Sequence, residues 1–264
     1  MDIFVVLFSV IIAVAVFCIF LIFPANGKKA KAFDKKYIAH RGLHGCGIKE
    51  NTAEAFENAV KNGFGVELDI RLSKDGIPVV NHDATLKRVF GIDKNVSEMT
   101  EKELNEVGVP SFSKVLEILG SKVPLVAEIK GENFSTEVCE KTAEILDNYN
   151  GIYCVESFNP MHLRWFKKNR KNVIRGQLST TFEDERNGKH TVRNFLLRNL
   201  LLNFLSRPHF ISYEHKFFPL PVRINKLYGA HMVCWTVTSQ NEADKASKHY
   251  SAFIFEGFIP KNSK

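Results

Sequence analysis

From Gly65 to Leu72 apolar Val66, Leu68, Ile70 and Leu72 alternate with Glu67, Asp69 and Arg71. A period of two predicts a strand with one apolar and one charged face. Ile77-Pro78-Val79-Val80-Asn81-His82 is a second extended run, and Asp75-Gly76 between the two is a hairpin signal. With Asp75-Gly76 as a two-residue loop, Asp69 is expected directly opposite His82, on the face that also carries Glu67. Tyr37–Ala39 is a short apolar run ending at His40, and Asn51–Asn62 has helical spacing, with Ala53, Phe56, Ala59 and Val60 on one side. Thr100 and Glu103 form a capping-box pattern, and a short helix is expected over Ser113–Leu119.

Beyond residue 120 the pattern switches period repeatedly. Strands are expected at Leu125–Ile129, Ile152–Val155, Val173–Leu178, Phe210–Tyr213, Met232–Val237 and Ala252–Phe255. Helices are expected at Ser135–Asn148, Pro160–Asn169, Val192–Leu205, Leu220–Tyr228 and Asn241–His249. Setting aside the hairpin's return strand, one strand each passes through Tyr37, Glu67, Glu128, Val155, Gln177, Tyr213, Trp235 and Phe255. This alternation predicts an α/β chain, a TIM (β/α)8 barrel. No G-x-G-x-x-G follows the first strand, which argues against a dinucleotide-binding fold.

Ile3 to Phe23 carries no charge. At 1.5 Å per residue it is long enough to cross a hydrocarbon core of about 30 Å. A secretory signal would have a basic start and small residues near a cleavage site, whereas acidic Asp2 precedes this run and Phe20-Leu21-Ile22-Phe23 ends it. An uncleaved transmembrane anchor over 1–23 is expected, then a basic linker over 24–36 and a catalytic barrel over 37–264. Lys28, Lys29, Lys31, Lys35 and Lys36 supply over half of the formal net charge of +7. Their place just after the anchor predicts a single-pass membrane protein with a cytoplasmic domain, its lysines near anionic lipid. The rest of the chain is only mildly basic and has no nucleic-acid module, so no nucleic-acid partner is expected. The five cysteines lack C-x-x-C spacing and fit free thiols in a reducing compartment.

Barrel enzymes place their reactive groups at the C-terminal ends of strands. His40 ends the first strand here, Glu67 and Asp69 lie on the second, and Glu128 and Lys130 close the third. Three carboxylates without sulfur ligands suit a hard divalent cation, Ca²⁺ or Mg²⁺. Arg41 and Lys130 suit a phosphate oxyanion. His40 and His82 suit acid–base work near neutral pH. Together these groups point to phosphodiester cleavage. Trp235 is a candidate pocket wall. Asp83 is expected to cap the turn after His82, with a place in the site as the alternative, and Glu50 to start its helix or pair with Arg41 rather than bind metal. His44, His162, His190, His209 and His249 have no converging partners and are expected to be structural.

The motifs His40-Arg41-Gly42, Glu50-Asn51-Thr52, Gly65 to Arg71, Lys74-Asp75-Gly76, His82-Asp83 and Glu128-Ile129-Lys130 occur in order, with weaker Val155-Glu156-Ser157-Phe158 and Cys234-Trp235-Thr236-Val237. In this the chain resembles the glycerophosphodiester phosphodiesterase family, a group of phospholipase C-like barrels, over essentially residues 37–259. The resemblance implies a cation-dependent hydrolase that cleaves glycerophosphodiesters to glycerol 3-phosphate and an alcohol. It implies metal ligation by Glu67, Asp69 and Glu128, an acid–base pair of His40 and His82, and phosphate contacts from Arg41 and Lys130. Attack by the substrate's own 2-hydroxyl and attack by water both remain open. Lysophospholipase D activity on membrane lysophospholipids is the alternative, with a catalytically silent headgroup-binding module as a third. Phe253 to Pro260 departs from the family's usual last strand by losing a Thr-Asp pair, which affects the pocket wall there. Phe195–Leu205 is apolar enough for a barrel helix or a membrane contact.

Overall fold

The computed structural model describes residues 3–34, 36–131, 135–182 and 191–261, so Lys35, His190 and the outermost residues of the expected anchor and barrel fall outside it. Nine strands form one sheet: β1 Tyr37–Ala39, β2 Gly65–Leu72, β3 Pro78–Val80, β4 Leu125–Ile129, β5 Tyr153–Ser157, β6 Ile174–Ser179, β7 Phe210–Glu214, β8 His231–Val237 and β9 Ala252–Phe255. All but β3 run parallel, and β1 pairs with both β2 and β9, closing an eight-stranded barrel. The ring is wrapped by α2 Ala53–Lys61, α3 Lys87–Phe90, α4 Glu101–Glu106, α5 Phe112–Leu119, α6 Glu137–Leu146, α7 Pro160–Asn169, α8 Val192–Arg198, α9 Asn203–Ser206, α10 Leu220–Leu227 and α11 Gln240–Ala246. This is the (β/α)8 fold expected from the alternation.

The helix α1, Ile3–Ile22, precedes the barrel. It is long and apolar enough to cross a membrane, and 6% of its most apolar window is buried. The segment expected as a linker contains a 3-10 helix, Gly27–Phe33, whose Ala30 and Phe33 are buried. They join Ile38, Val126, Cys154, Phe210, Val233 and Ile254 in one apolar cluster. Apolar residues at every third position let this helix pack there, while Lys28, Lys29 and Lys31 stay exposed.

The barrel interior is layered by register. Glu67 pairs with Val126, and Asp69 pairs with Glu128, which in turn pairs with Glu156. Side chains two residues apart on a strand share a face. An acidic row over β2, β4 and β5 therefore lies one step above the apolar layer that contains Val126 and Cys154.

The hairpin differs from expectation. Ile70 pairs with Val80 and Leu72 with Pro78, so Asn81, not His82, faces Asp69. The register shifts because the loop is longer than Asp75-Gly76. The Ser73 backbone N–H donates to Ile77 O at 3.0 Å, and Ser73 Oγ accepts the Ile77 N–H at 2.9 Å. The expected capping box does form: Thr100 Oγ1 accepts the Glu103 N–H, and Glu103 accepts the Thr100 N–H. The single helix expected over Val192–Leu205 is instead α8 and α9, broken where Leu200 takes a left-handed φ of 58°. Leu197 and Leu200 pack inward, leaving Val192 and Phe195 exposed. Among the described residues all five cysteines are free, Cys46 exposed and Cys139, Cys154 and Cys234 buried.

His209, just before β7, is 5% exposed, and its Nδ1 accepts the Arg175 backbone N–H at 3.2 Å. Burial, with Arg175 and Lys29 nearby, lowers its pKa to about 4. Above pH ~6.5 the ring is neutral folded or unfolded and contributes no pH dependence. As pH falls toward 4 the unfolded chain gains a proton that the folded ring refuses, so stability drops, by about 3 kcal/mol at the limit. Thermal unfolding in detergent at pH 7 and pH 5 should show a smaller acid-induced loss for His209→Gln than for the native chain. Equal losses would contradict this account.

Candidate active site

The parallel strands bring His40, Arg41, Glu67, Asp69, Glu128 and Lys130 to one end of the barrel. Ligand atoms of Glu67, Asp69 and Glu128 lie within 4.8 Å of one another, and all three residues are buried. Lys130 Nζ is 3.0 Å from Asp69 Oδ1 and 2.7 Å from Glu128 Oε1. Arg41 Nε is 3.4 Å from Asp69 Oδ2, and the Arg41 backbone N–H donates to Glu67 Oε2 at 2.9 Å. Pointing that N–H at Glu67 needs a sharp turn after β1. Arg41 takes φ 55° and Gly42 φ 80°, and a Cβ on Gly42 would lie 2.8 Å from the Ala55 Cβ. Glycine therefore lets the turn press against α2.

The acids are poorly neutralised. Burial, then Asp69, Glu128 and Glu156, push Glu67 well above the usual carboxylate range. Burial raises Glu128 to about 7 against the pull of Lys130, and raises Glu156 to about 8, with Glu128 adding to it. Burial also acts to raise Asp69, but Lys130, His82 and Arg41 hold it below its ordinary value. Burial disfavours charge on Lys130, yet Asp69 and Glu128 raise its pKa. Glu156 Oε2 has no hydrogen-bond partner among the described residues. Buried oxygen donors with surplus negative charge and no sulfur fit a hard divalent cation.

The two histidines are oriented by carboxylates. His40 Nδ1 is 2.6 Å from Glu256 Oε2, and its Nε2 is 3.9 Å from Glu67 Oε2. The hydrogen bond from His40, with His44 nearby, holds Glu256 ionised, well below the usual carboxylate range. An ionised carboxylate only accepts, so Nδ1 carries the proton and Nε2 faces the acidic cluster. Burial lowers the His40 pKa, partly offset by Glu256. His82 Nδ1 is 2.7 Å from Asp83 Oδ1, and Asp83 Oδ2 accepts from Arg88 Nε at 2.7 Å. Arg88 and Arg41 both donate to Glu50. Asp83 thus orients His82 rather than only capping a turn, and Glu50 pairs with Arg41. His82 lies beyond the end of β3, so the shifted register does not decide its direction. Its charge still couples to Asp69, Lys130 and Arg41, and burial lowers its pKa to about 4.

Three groups were not anticipated as site residues. Asn51 donates from Nδ2 to Asp69 Oδ2 at 2.8 Å, Glu156 extends the acidic row, and Glu256 meets His40. His44, expected to be structural, has Nε2 3.8 Å from Glu256. His162 is structural, buried beneath Ser157 and Asn159. Trp235 packs on the apolar layer of the barrel and edge-on to Phe158 at 5.7 Å.

A closed parallel barrel with buried acids and oriented histidines at its strand ends is the architecture of a metal-using hydrolase. Residues 40–251 match the glycerophosphoryl diester phosphodiesterase family model, and the chain belongs to that family. It is 28% identical over 235 residues to YhdW of Bacillus subtilis (strain 168), covering 79% of this chain and 88% of that one. It is 38% identical over 109 residues to lysophospholipase D GDPD1 of Homo sapiens, covering 39% of this chain and 34% of that protein. Among solved structures it superposes on the glycerophosphodiester phosphodiesterase of Thermotoga maritima with TM-score 0.65 and 28% identity, covering 83% and 93% of the two chains.

Proposed function

We propose that this chain hydrolyses glycerophosphodiesters to glycerol 3-phosphate and an alcohol. The observation that carries the proposal is the buried Glu67-Asp69-Glu128 cluster beside Lys130 and Arg41. These three acids would hold one divalent cation, Mg²⁺ or Ca²⁺, which when bound polarises a phosphoryl oxygen. Arg41 and Lys130 bind the remaining phosphate charge. His40 and His82 present their Nε2 atoms as the acid–base pair: one takes a proton from the attacking hydroxyl, and the other returns one to the departing alcohol. The attacking group is water, or the substrate's 2-hydroxyl, which would give a cyclic phosphate that water then opens to glycerol 3-phosphate. Asn51 and Glu256 position Asp69 and His40, and Trp235 with Phe158 forms a pocket wall.

The family membership and the Thermotoga relative support this substrate class. The match to a human lysophospholipase D favours a second reading, in which the same chemistry acts on lysophospholipids. We read residues 1–23 as a single-pass anchor, residues 24–36 as the basic connection and residues 37–264 as the catalytic domain, placed in the cytoplasm. The uncharged helix, the lysines after it and the free thiols support that reading. The test is glycerol 3-phosphate release by the full chain from glycerophosphocholine with Mg²⁺ or Ca²⁺ supplied. Release that chelator abolishes is expected, and no release with either ion would refute the activity.

A further inference from the structure

The way α1 joins the barrel bears on which substrate can reach the site. Only its last turn packs. Ile22 is buried, whereas Ile3 to Phe17 are exposed. Arg207 donates to Phe20 O and Phe23 O, both at 2.8 Å, and its guanidinium lies 4.7 Å from the Phe20 ring centre. Asn203 Nδ2 donates to Ile22 O at 3.3 Å, and the Phe23 and Tyr228 rings are 4.8 Å apart. The chain then crosses to strand beginnings: the Ala25 N–H donates to Pro208 O and the Gly27 N–H to Gly229 O. Pro208 precedes β7 and Gly229 precedes β8. A Cβ on Gly27 would lie 2.4 Å from Gly229 O, so this crossing is a tight backbone contact. The span therefore leaves the barrel from the end opposite the acidic cluster.

That end also has the composition of a bilayer-facing surface. Lys28, Lys29 and Lys31 are exposed on the 3-10 helix. Exposed Lys168 and Lys171 line a cavity of about 750 Å³ that Ala32 of the same helix also lines. Asp147, which lines that cavity, is bound by Arg170 at 2.7–3.0 Å, and Asp34 lies beside His231. Leu227 is 82% exposed and Ile152 51%. Cations around exposed apolar side chains, next to a membrane span, suit an anionic headgroup layer.

We infer that the strand-start end of the barrel is seated on an anionic bilayer, so that the catalytic mouth opens away from it and takes water-soluble glycerophosphodiesters rather than lysolipids still in the membrane. The inference rests on the anchor reading above. Glu128 and Glu156 stand three residues past the starts of their strands, so at about 3.3 Å per residue the acidic row lies roughly 10 Å along the strands from that end. The headgroup layer is only about 5–8 Å thick on each side. A lysolipid phosphate in the same leaflet stops short of the site, with the 3-10 helix across the intervening barrel end.

The native Cys46, exposed on the loop after β1, reports the mouth. Leu227→Cys in a Cys46→Ser chain reports the opposite end, with Cys18→Ser in both. The full-length proteins would be labelled with a fluorophore and reconstituted in phosphatidylcholine–phosphatidylserine vesicles doped with headgroup-nitroxide lipid. The Leu227→Cys label is expected to lose most of its fluorescence and the Cys46 label to keep nearly all of it. Replacing Lys28, Lys29 and Lys31 by Glu should relieve the Leu227→Cys quenching on anionic vesicles. In the same preparation glycerophosphocholine should be cleaved and vesicle-embedded lysophosphatidylcholine left largely intact. Equal quenching at both positions, undiminished quenching in the lysine variant, or equal turnover of the two substrates would overturn the inference. Loss of the protein from vesicles at alkaline pH would instead refute the anchor, and the inference with it. Cleavage of neither substrate would refute the proposed activity, while the quenching pattern would still report orientation.

Discussion

Glu67→Gln removes nearly all turnover while leaving the fold at least as stable as the native one when divalent cations are chelated. The side chain is 2% exposed, and Oε2 accepts the Arg41 N–H. Glutamine keeps the shape, and its amide oxygen can keep that hydrogen bond. It removes a charge disfavoured first by burial and then by Asp69, Glu128 and Glu156. In the unliganded protein the native carboxyl must take up a proton to stay buried, a folding cost near neutral pH that glutamine does not carry. The same charge is what a cation needs. A metal that stabilises developing charge is worth several kcal/mol, so a loss of roughly a thousandfold or more is expected. A ligand that binds only the folded state raises the unfolding temperature. Added Mg²⁺ or Ca²⁺ should therefore raise the midpoint of the native chain more than that of Glu67→Gln. Undiminished turnover of Glu67→Gln in chelator would remove the cation from the proposed chemistry, and an equal cation-induced shift would remove Glu67 from its ligands.

The sequence patterns that worked have short-range causes. Alternation over Gly65–Leu72 placed Glu67 and Asp69 on one face, because strand side chains alternate whatever the partner strand does. The pair Glu128 and Lys130 followed from the same rule, as did the strand count. The hairpin register failed because Ser73 bonds both backbone groups of Ile77, a choice made by a side chain inside the turn. The single helix over Val192–Leu205 failed because periodicity does not show that Asn203 is used by Ile22 and Asn225. The missing site residues needed closure of the barrel. Glu256 follows the last strand and reaches His40 only because β9 pairs with β1, across 216 positions of sequence. The register Glu128 with Glu156 exists only once β4 and β5 are side by side. Glu156 had a signal in Val155-Glu156-Ser157-Phe158, an acid inside an apolar strand two residues after Cys154. Asn51 had one too, between Glu50 and Thr52, but its left-handed φ of 55° and its aim at Asp69 are tertiary facts.

His40→Ala should lower turnover about 100- to 10,000-fold without unfolding the protein, the range of a positioned acid–base group. Its ring is mostly buried, with Nε2 toward Glu67 and Nδ1 held by Glu256. Glu256→Gln tests whether that hold matters. Glutamine can still accept the Nδ1 proton, so the ring keeps its place and the loss should be smaller than in His40→Ala. What changes is charge. Glu256 opposes the burial that lowers the His40 pKa, so removing its carboxylate lets that pKa fall further. Whichever limb of the pH–rate profile reports His40 should then move to lower pH. A side chain that only packs would change the rate at all pH values and move neither limb. Because Glu256 is proposed to act through His40, the double variant should be no slower than His40→Ala alone. Near-native rates in His40→Ala would remove it from the acid–base pair. A double variant slower by the product of the two single losses would give Glu256 a separate role.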